Sequence, residues 1–174
     1  MIGIAGLGGI GSNIAVNLVR SGIGPLKLVD MDLVEEGNLN RQFYFADQIG
    51  QPKVEALTEN LQRIGTGVAI ASCHAKISRN NCANIFTGCE LLVEGVDDEN
   101  TKKIVLEEMA PRTRLIVSAC GIAGAELQGI SSRKMGNCII VGDFSTASTA
   151  APLYLHKLQA ICARMTETLL EDIK

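Results

Sequence analysis

Three short segments hold the residue types that could do chemistry. Gly6-Leu7-Gly8-Gly9-Ile10-Gly11-Ser12 is a glycine-rich turn, Leu28-Val29-Asp30-Met31-Asp32 an acidic strand end, and Asn38-Leu39-Asn40-Arg41-Gln42 plants an arginine just beyond it. Gly6, Gly8 and Gly11 form a GxGxxG arrangement. In such a turn one glycine makes the tight bend, one lets a phosphate approach the main chain, and one lets helix and strand pack closely. Gly9 adds further backbone freedom. Phosphate oxygens meet the unpaired N–H groups at the positive end of the helix that follows. Asp30 stands where a carboxylate accepts hydrogen bonds from ribose hydroxyls.

A glycine turn and a ribose-reading acid serve any nucleotide, dinucleotides included, so the neighbouring charges discriminate. Arg41 has the planar fork that grips phosphate oxygens in pairs. Lys53, opening the next helix, supplies a compact cation where pyrophosphate develops charge in a transition state. Asn38 can orient the same phosphates. Asp97 and Asp98 follow a buried strand through Gly95-Val96, which suits a magnesium ion held by one carboxylate together with phosphate oxygens. A competing role for Asp98 or Asn100 is to cap the helix that begins there, leaving Asp97 to face the nucleotide.

The elements that must position these groups alternate. Met1 to Ala5 reads as a strand, Gly9 to Ser21 as a helix, Leu26 to Asp30 as a second strand, and Pro52 opens a helix with Val54, Leu57, Leu61 and Ile64 on one face. A third strand is expected at Val68 to Ala71, then a buried strand at Leu91 to Gly95, a helix from Glu99 to Met109, and another buried strand at Leu115 to Ser118. This order predicts an α/β, Rossmann-like, mostly parallel sheet with helices on both faces. Ile130 to Arg133 and Cys138 to Val141, joined by Met135-Gly136-Asn137, predict an antiparallel extension near the carboxyl terminus. A last helix is expected from Ala151 to Asp172, and a mobile loop from Gly142 to Ala150.

Composition narrows the class. The 174 residues fit one domain, 1–174, and 47% hydrophobic content fits a compact soluble core. Sixteen basic against nineteen acidic residues give a formal charge of −3, which leaves no footprint for nucleic acid. No apolar run reaches membrane-spanning length and no leader segment precedes the first strand, so a cytoplasmic protein with reduced thiols is expected. The six cysteines, at 73, 82, 89, 120, 138 and 162, form no CxxC, which argues against structural zinc. Of the thiols, Cys120 and Cys138 are expected near the phosphate-binding edge, although a free cysteine usually serves as a small buried hydrophobe.

Taken in order, GLGGIGS at Gly6 to Ser12, LVDMDLVEEGNLNRQ at Leu28 to Gln42, GQPK at Gly50 to Lys53 and VDDENTKK at Val96 to Lys103 make the chain similar to the ThiF/MoeB family. That family comprises adenylyltransferases of sulfur-carrier proteins, related to ubiquitin-activating enzymes. Lacking paired CxxC zinc ligands, the chain resembles the short, zinc-free branch that acts on ThiS-like carriers. The resemblance implies ATP and Mg2+ as cofactors. It implies that Gly9, Asp30, Asn38, Arg41, Lys53 and Asp97 contact ATP, with Asp97 linked to magnesium, and it draws Asp32, Gln42 and Asp98 into the same set. It further implies a homodimer, a ubiquitin-fold sulfur carrier as partner, and adenylation of the carrier's Gly-Gly carboxylate with release of pyrophosphate in thiamine thiazole synthesis. The readings left open are a non-catalytic module that binds nucleotide or a ubiquitin-like protein, an NAD-dependent oxidoreductase, and activation of a molybdopterin-type carrier.

Overall fold

The computed structural model describes residues 1–146 and 151–173. Among them the chain forms a seven-stranded sheet from β1 (Ile2–Ala5), β2 (Leu26–Asp30), β3 (Ile70–His74), β4 (Leu91–Glu94), β5 (Leu115–Ala119), β6 (Ser131–Met135) and β7 (Cys138–Gly142). The helices are α1 (Gly11–Arg20), α2 (Lys53–Gln62), α3 (Cys82–Ile85), α4 (Glu99–Met109) and α5 (Leu155–Ile173). The strand order is β3-β2-β1-β4-β5-β7-β6. Every pairing is parallel except β6 with β7.

Burial explains the arrangement. β1, β4 and β5 are buried along their whole length, as continuous apolar runs in a parallel sheet covered on both faces require. Ile14, Leu18, Leu57, Leu158, Ile161 and Met165 pack on one face, beneath α1, α2 and α5. Cys82, Phe86, Val105 and Met109 pack on the other, beneath α3 and α4. Burying one such Leu or Ile stabilises the fold by about 1.5–3 kcal/mol.

The chain runs from β1 outward through β2 to β3, then returns to the other side of β1 with β4. That reversal opens a crevice at the carboxyl ends of β1 and β4, the place where open α/β sheets receive ligands.

Several expectations shift. β3 begins at Ile70 instead of Val68, and α5 at Leu155 instead of Ala151. The antiparallel pair is present, turning tightly at Gly136-Asn137, and β7 also pairs with β5 in parallel. Cys138, at the start of β7, aligns with Ile116 at the start of β5. It therefore lies at the edge opposite the crevice, buried, with its thiol pushed up to about 11 by that burial. The expectation that Cys138 sits near the phosphate-binding edge is thereby corrected. Cys120 follows β5 directly at the crevice edge and is exposed.

Of the loop expected to be mobile, residues 147–150 lie outside the described residues, and Gly142 to Thr146 are held. Asp143 accepts N–H bonds from Ser145 (2.8 Å) and Thr146 (2.9 Å), and pairs with Lys157 of α5 at 2.6 Å. Lys157 is fully buried and also donates to the Ala123 carbonyl. Arg133 of β6 stacks over the Phe144 ring, 3.9 Å from its centroid.

Burial works against the charge on Asp143, yet the Lys157 ammonium and the donors of Ser145 and Thr146 hold its carboxyl below the usual carboxylate range. A depressed acid contributes stability that is complete above its unfolded value, about 4, and lost as pH falls from there through the folded value. Lys157→Met is expected to lower unfolding free energy by about 3 kcal/mol near neutrality, because it strands a mostly buried carboxylate. Urea denaturation from pH 7 downward checks this. The gap between wild type and variant should close as the solution is acidified below the ordinary carboxylate range.

Candidate nucleotide site

The glycine turn joins β1 to α1 at the crevice. Gly6 is left-handed (φ 81°), and a Cβ there would lie 2.8 Å from the Gly95 carbonyl oxygen. At Gly11 an added Cβ would stand 1.9 Å from the Gly6 carbonyl oxygen. Both positions therefore demand glycine. α1 has no side-chain cap, and among the described residues nothing accepts from the N–H groups of Gly8, Gly9 or Ile10. Those donors, at the positive end of a ten-residue helix, form a ready anion site.

Asp30 ends β2 and is buried. Its Oδ2 accepts the Leu7 N–H at 2.6 Å and its Oδ1 the Asp32 N–H at 2.8 Å. Burial pushes its carboxyl above the usual range, with those two N–H bonds and the Lys53 ammonium opposing. Asp30 thus fixes the turn, and the free lone pairs of its two oxygens remain available to further donors.

Residues 38–44 are pinned against the same turn. Ser12 Oγ donates to the Gly8 carbonyl (2.7 Å) and accepts the Phe43 N–H (3.2 Å). Asn13 Nδ2 donates both to the Gly9 carbonyl (2.7 Å) and to that of Arg41 (2.9 Å). The buried Tyr44 hydroxyl donates to the Leu7 carbonyl at 2.9 Å. Arg41 is thereby laid along Gly9, its Cγ 3.7 Å from where a Gly9 Cβ would be, and its guanidinium donates to the Gly37 carbonyl (2.6 Å) and Asn40 Oδ1 (2.8 Å).

Gln42 lies over Gly8, and its Oε1 is shut off from solvent with no hydrogen-bond partner among the described residues. An orphaned buried acceptor beside the turn fits a site made for a ligand that donates. Asn38 turns its own loop, accepting the Glu35 N–H at 3.1 Å.

Lys53 begins α2 just after Pro52. Its ammonium is nearly buried and pairs with Asp32 at 2.9 Å, while its N–H donates to the Asp32 carbonyl at 2.9 Å. The neighbouring acid therefore aims this cation at the crevice edge.

On the β4 side, Gly95 and Val96 press on Gly6. Asp98 caps α4, accepting the Thr101 N–H at 2.7 Å and the Thr101 hydroxyl at 2.8 Å. The Thr101 hydroxyl and N–H hold its carboxyl below the usual range. Of the two competing roles for this acidic pair, Asp98 takes the cap. Asp97 is exposed and has no hydrogen-bond or ion-pair partner among the described residues.

The structure thus gathers the glycine turn, Asp30, Arg41, Gln42, Lys53 and the Asp97 loop at one crevice, with Asp32, Asn38 and Asp98 supporting them. Sequence reasoning missed Ser12, Asn13 and Tyr44, whose hydrogen bonds carry no periodic signal. It also missed Glu94, although an acid ending the apolar run Leu91-Leu92-Val93 is a visible anomaly, and Lys157, which sits on the core stripe of α5 one turn before Ile161.

Comparison with known proteins places this geometry. A family model described as the ThiF family matches residues 1–138. Ubiquitin-like modifier-activating enzyme 5 of Oryza sativa subsp. japonica is 39% identical over 100 residues, 58% of this chain and 24% of that protein. Adenylyltransferase and sulfurtransferase MOCS3 of Danio rerio is 30% identical over 120 residues, 68% of this chain and 26% of that protein. Molybdopterin-synthase adenylyltransferase of Salmonella typhimurium is 32% identical over 100 residues, 57% of this chain and 40% of that protein. The chain thus spans 24% to 40% of the length of these curated relatives. Among solved structures, E. coli tRNA N6-threonylcarbamoyladenosine dehydratase TcdA in complex with AMP superposes with a TM-score of 0.84 at 18% identity, over 99% of this chain and 86% of that one. That likeness speaks to the fold. With the family model covering residues 1–138 and a relative 30% identical over 68% of this chain, the chain belongs to the ThiF family.

Proposed function

We propose that residues 1–174 form one ATP-binding adenylyltransferase domain that activates the carboxyl-terminal Gly-Gly carboxylate of a small ubiquitin-like sulfur carrier. The observation that carries this reading is the placing of Arg41 along Gly9, through Asn13, beside a helix terminus with free N–H donors. A dinucleotide oxidoreductase has no need of an arginine whose stem lies along the phosphate turn and whose guanidinium stands in the adjoining loop. Relatives named as adenylyltransferases support the same activity.

In this reading the triphosphate lies on the N–H groups of Gly8 to Ile10, with Arg41 and Lys53 stabilising its charge and Asp30 accepting from the ribose. A carrier carboxylate oxygen attacks the α-phosphorus. A new P–O bond forms, the bridge to the β-phosphorus breaks, and its electron pair leaves with pyrophosphate. No side chain changes covalently, so rate comes from alignment and fixed charge.

Magnesium in nucleotide sites commonly takes one or two carboxylates plus phosphate oxygens, and in this reading Asp97, exposed and with no partner among the described residues, would be the carboxylate that holds it. Bound there, the ion would neutralise the triphosphate and ease departure of pyrophosphate.

A ThiS-like carrier in thiamine thiazole synthesis, a homodimer and a cytoplasmic setting complete the proposal. The six cysteines, free in the structure, suit a reducing compartment. A molybdopterin-type carrier is the second reading, favoured by the Salmonella relative.

Pyrophosphate exchange into ATP tests both. Labelled pyrophosphate should enter ATP only when a Gly-Gly-ended carrier is present, and comparing ThiS-like with molybdopterin-type carriers decides the acceptor. ATP binding with no exchange from either would favour a binding module. Arg41→Ala should slow exchange about 100-fold while carrier affinity, followed by calorimetry, stays close to wild type. Equal losses in both would remove Arg41 from the phosphate site.

A further inference from the structure

The loop that carries Asp97 is fixed by a charge cluster that the proposed reaction does not use. Glu94, the last residue of β4, is fully buried. Its Oε1 accepts the Val96 N–H at 2.8 Å. Its Oε2 accepts the Ser118 hydroxyl of β5 at 2.5 Å and pairs with the ammonium of Lys102. Lys102 lies one turn into α4, where its N–H donates to the Asp98 carbonyl at 2.9 Å, and its ammonium also reaches the Ala119 carbonyl at 3.4 Å.

These contacts close a circuit through Glu94, Val96, Asp98 and Lys102. Asp97 lies within that circuit, exposed and with no hydrogen-bond or ion-pair partner among the described residues. The circuit also touches the glycine turn, because Val96 N would be 2.9 Å from a Cβ at Gly6.

Stability alone does not account for the cluster. Glu94 is fully buried while Lys102 keeps 29% of its side chain exposed, and such a pair seldom outperforms well-packed apolar side chains of similar volume, since the cost of desolvation offsets the attraction. What a carboxylate supplies here and an apolar group cannot is a directional acceptor for the Val96 N–H, with its second oxygen locked in place by Lys102 and Ser118.

We propose that Glu94, with Lys102 as its counter-charge, is the positioning residue that sets where Asp97 stands relative to the glycine turn. This rests on the reading of Asp97 given above as the acid that shares a divalent ion with ATP. Glu94 touches neither nucleotide nor metal; it acts by fixing the main chain two residues ahead. Groups that orient a metal ligand from behind are typically worth 10–100-fold in metal affinity.

The test uses the whole chain, ATP, and Mn2+ as a paramagnetic stand-in for magnesium. ATP affinity in EDTA is measured by calorimetry, and Mn2+ affinity of the ATP complex by electron paramagnetic resonance, for wild type, Asp97→Asn, Glu94→Gln, Lys102→Met and the Glu94→Gln/Lys102→Met double variant. Expected are metal-free ATP affinities within about twofold of wild type throughout, and Mn2+ affinities about 10-fold weaker in Asp97→Asn, Glu94→Gln and Lys102→Met. The double variant, neutral again, should regain thermal stability and still bind Mn2+ weakly. If Asp97→Asn loses Mn2+ while the other variants retain it, the positioning role is overturned and the assignment of Asp97 stands. If Asp97→Asn binds Mn2+ as wild type does, that assignment and the positioning role fall together. Parallel loss of metal-free ATP binding would reduce the cluster to a structural one and overturn the proposal. Should Glu94→Gln fail to fold, Lys102→Met and the double variant decide it.

Discussion

One buried carboxylate sets the geometry of the crevice. Asp30 takes the Leu7 N–H with one oxygen and the Asp32 N–H with the other, so the ends of β1 and β2 are joined by a single side chain. Burying that charge is unfavourable, and the two N–H donors with Lys53 nearby offset part of the penalty. Once the turn is fixed at Leu7, its carbonyl is in place for the Tyr44 hydroxyl. Gly8 and Gly9 then offer their carbonyls to Ser12 and Asn13. The segment carrying Arg41 is thus held by a chain of hydrogen bonds that begins at Asp30.

The same edge of the sheet gathers three ion pairs, each with one buried partner. Glu94 with Lys102, Asp143 with Lys157, and Asp32 with Lys53 each tie a loop at the carboxyl ends of the strands to a helix. Each pair links the end of a strand, or the loop after it, to a helix that the apolar core packs on the sheet. The core layers beneath α1, α2 and α5, and beneath α3 and α4, hold the helices on the sheet. The ion pairs decide where the connecting loops point. Stability and loop placement are therefore divided between different chemistries.

Much of this was legible in the sequence. The alternation of apolar runs and helical spacing gave β1, β2, β4, β5 and α4 closely, because each is a strongly patterned segment. β3 was displaced by two residues, since its pattern of exposure is irregular, with Ala71, Ser72 and His74 all exposed. The four-residue α3 is too short to show a period. Motif spacing brought the glycine turn, Asp30, Arg41, Lys53 and the Asp97 loop to one edge. It did not reveal that Lys53 is paired with Asp32, that Asp98 is a cap, or that Asn13 anchors Arg41. Those facts depend on side-chain contacts between segments far apart in sequence. The misplacement of Cys138 has a similar origin: its edge depends on β7 pairing in parallel with β5, which a hairpin pattern does not disclose.

The covering of the glycine turn by α5 has a consequence for how the protein is made. Leu158 lies where a Gly9 side chain would be, and the Cys162 thiol approaches the carbonyls of Gly9 and Ile10. Gly9 and Cys162 are 153 residues apart. At a ribosome adding about 5–20 residues per second, the turn therefore waits on the order of 10 seconds or more for its cover. During that interval the first strands can pair while the apolar flank of α1 stays wet, open to a chaperone or to a neighbouring nascent chain.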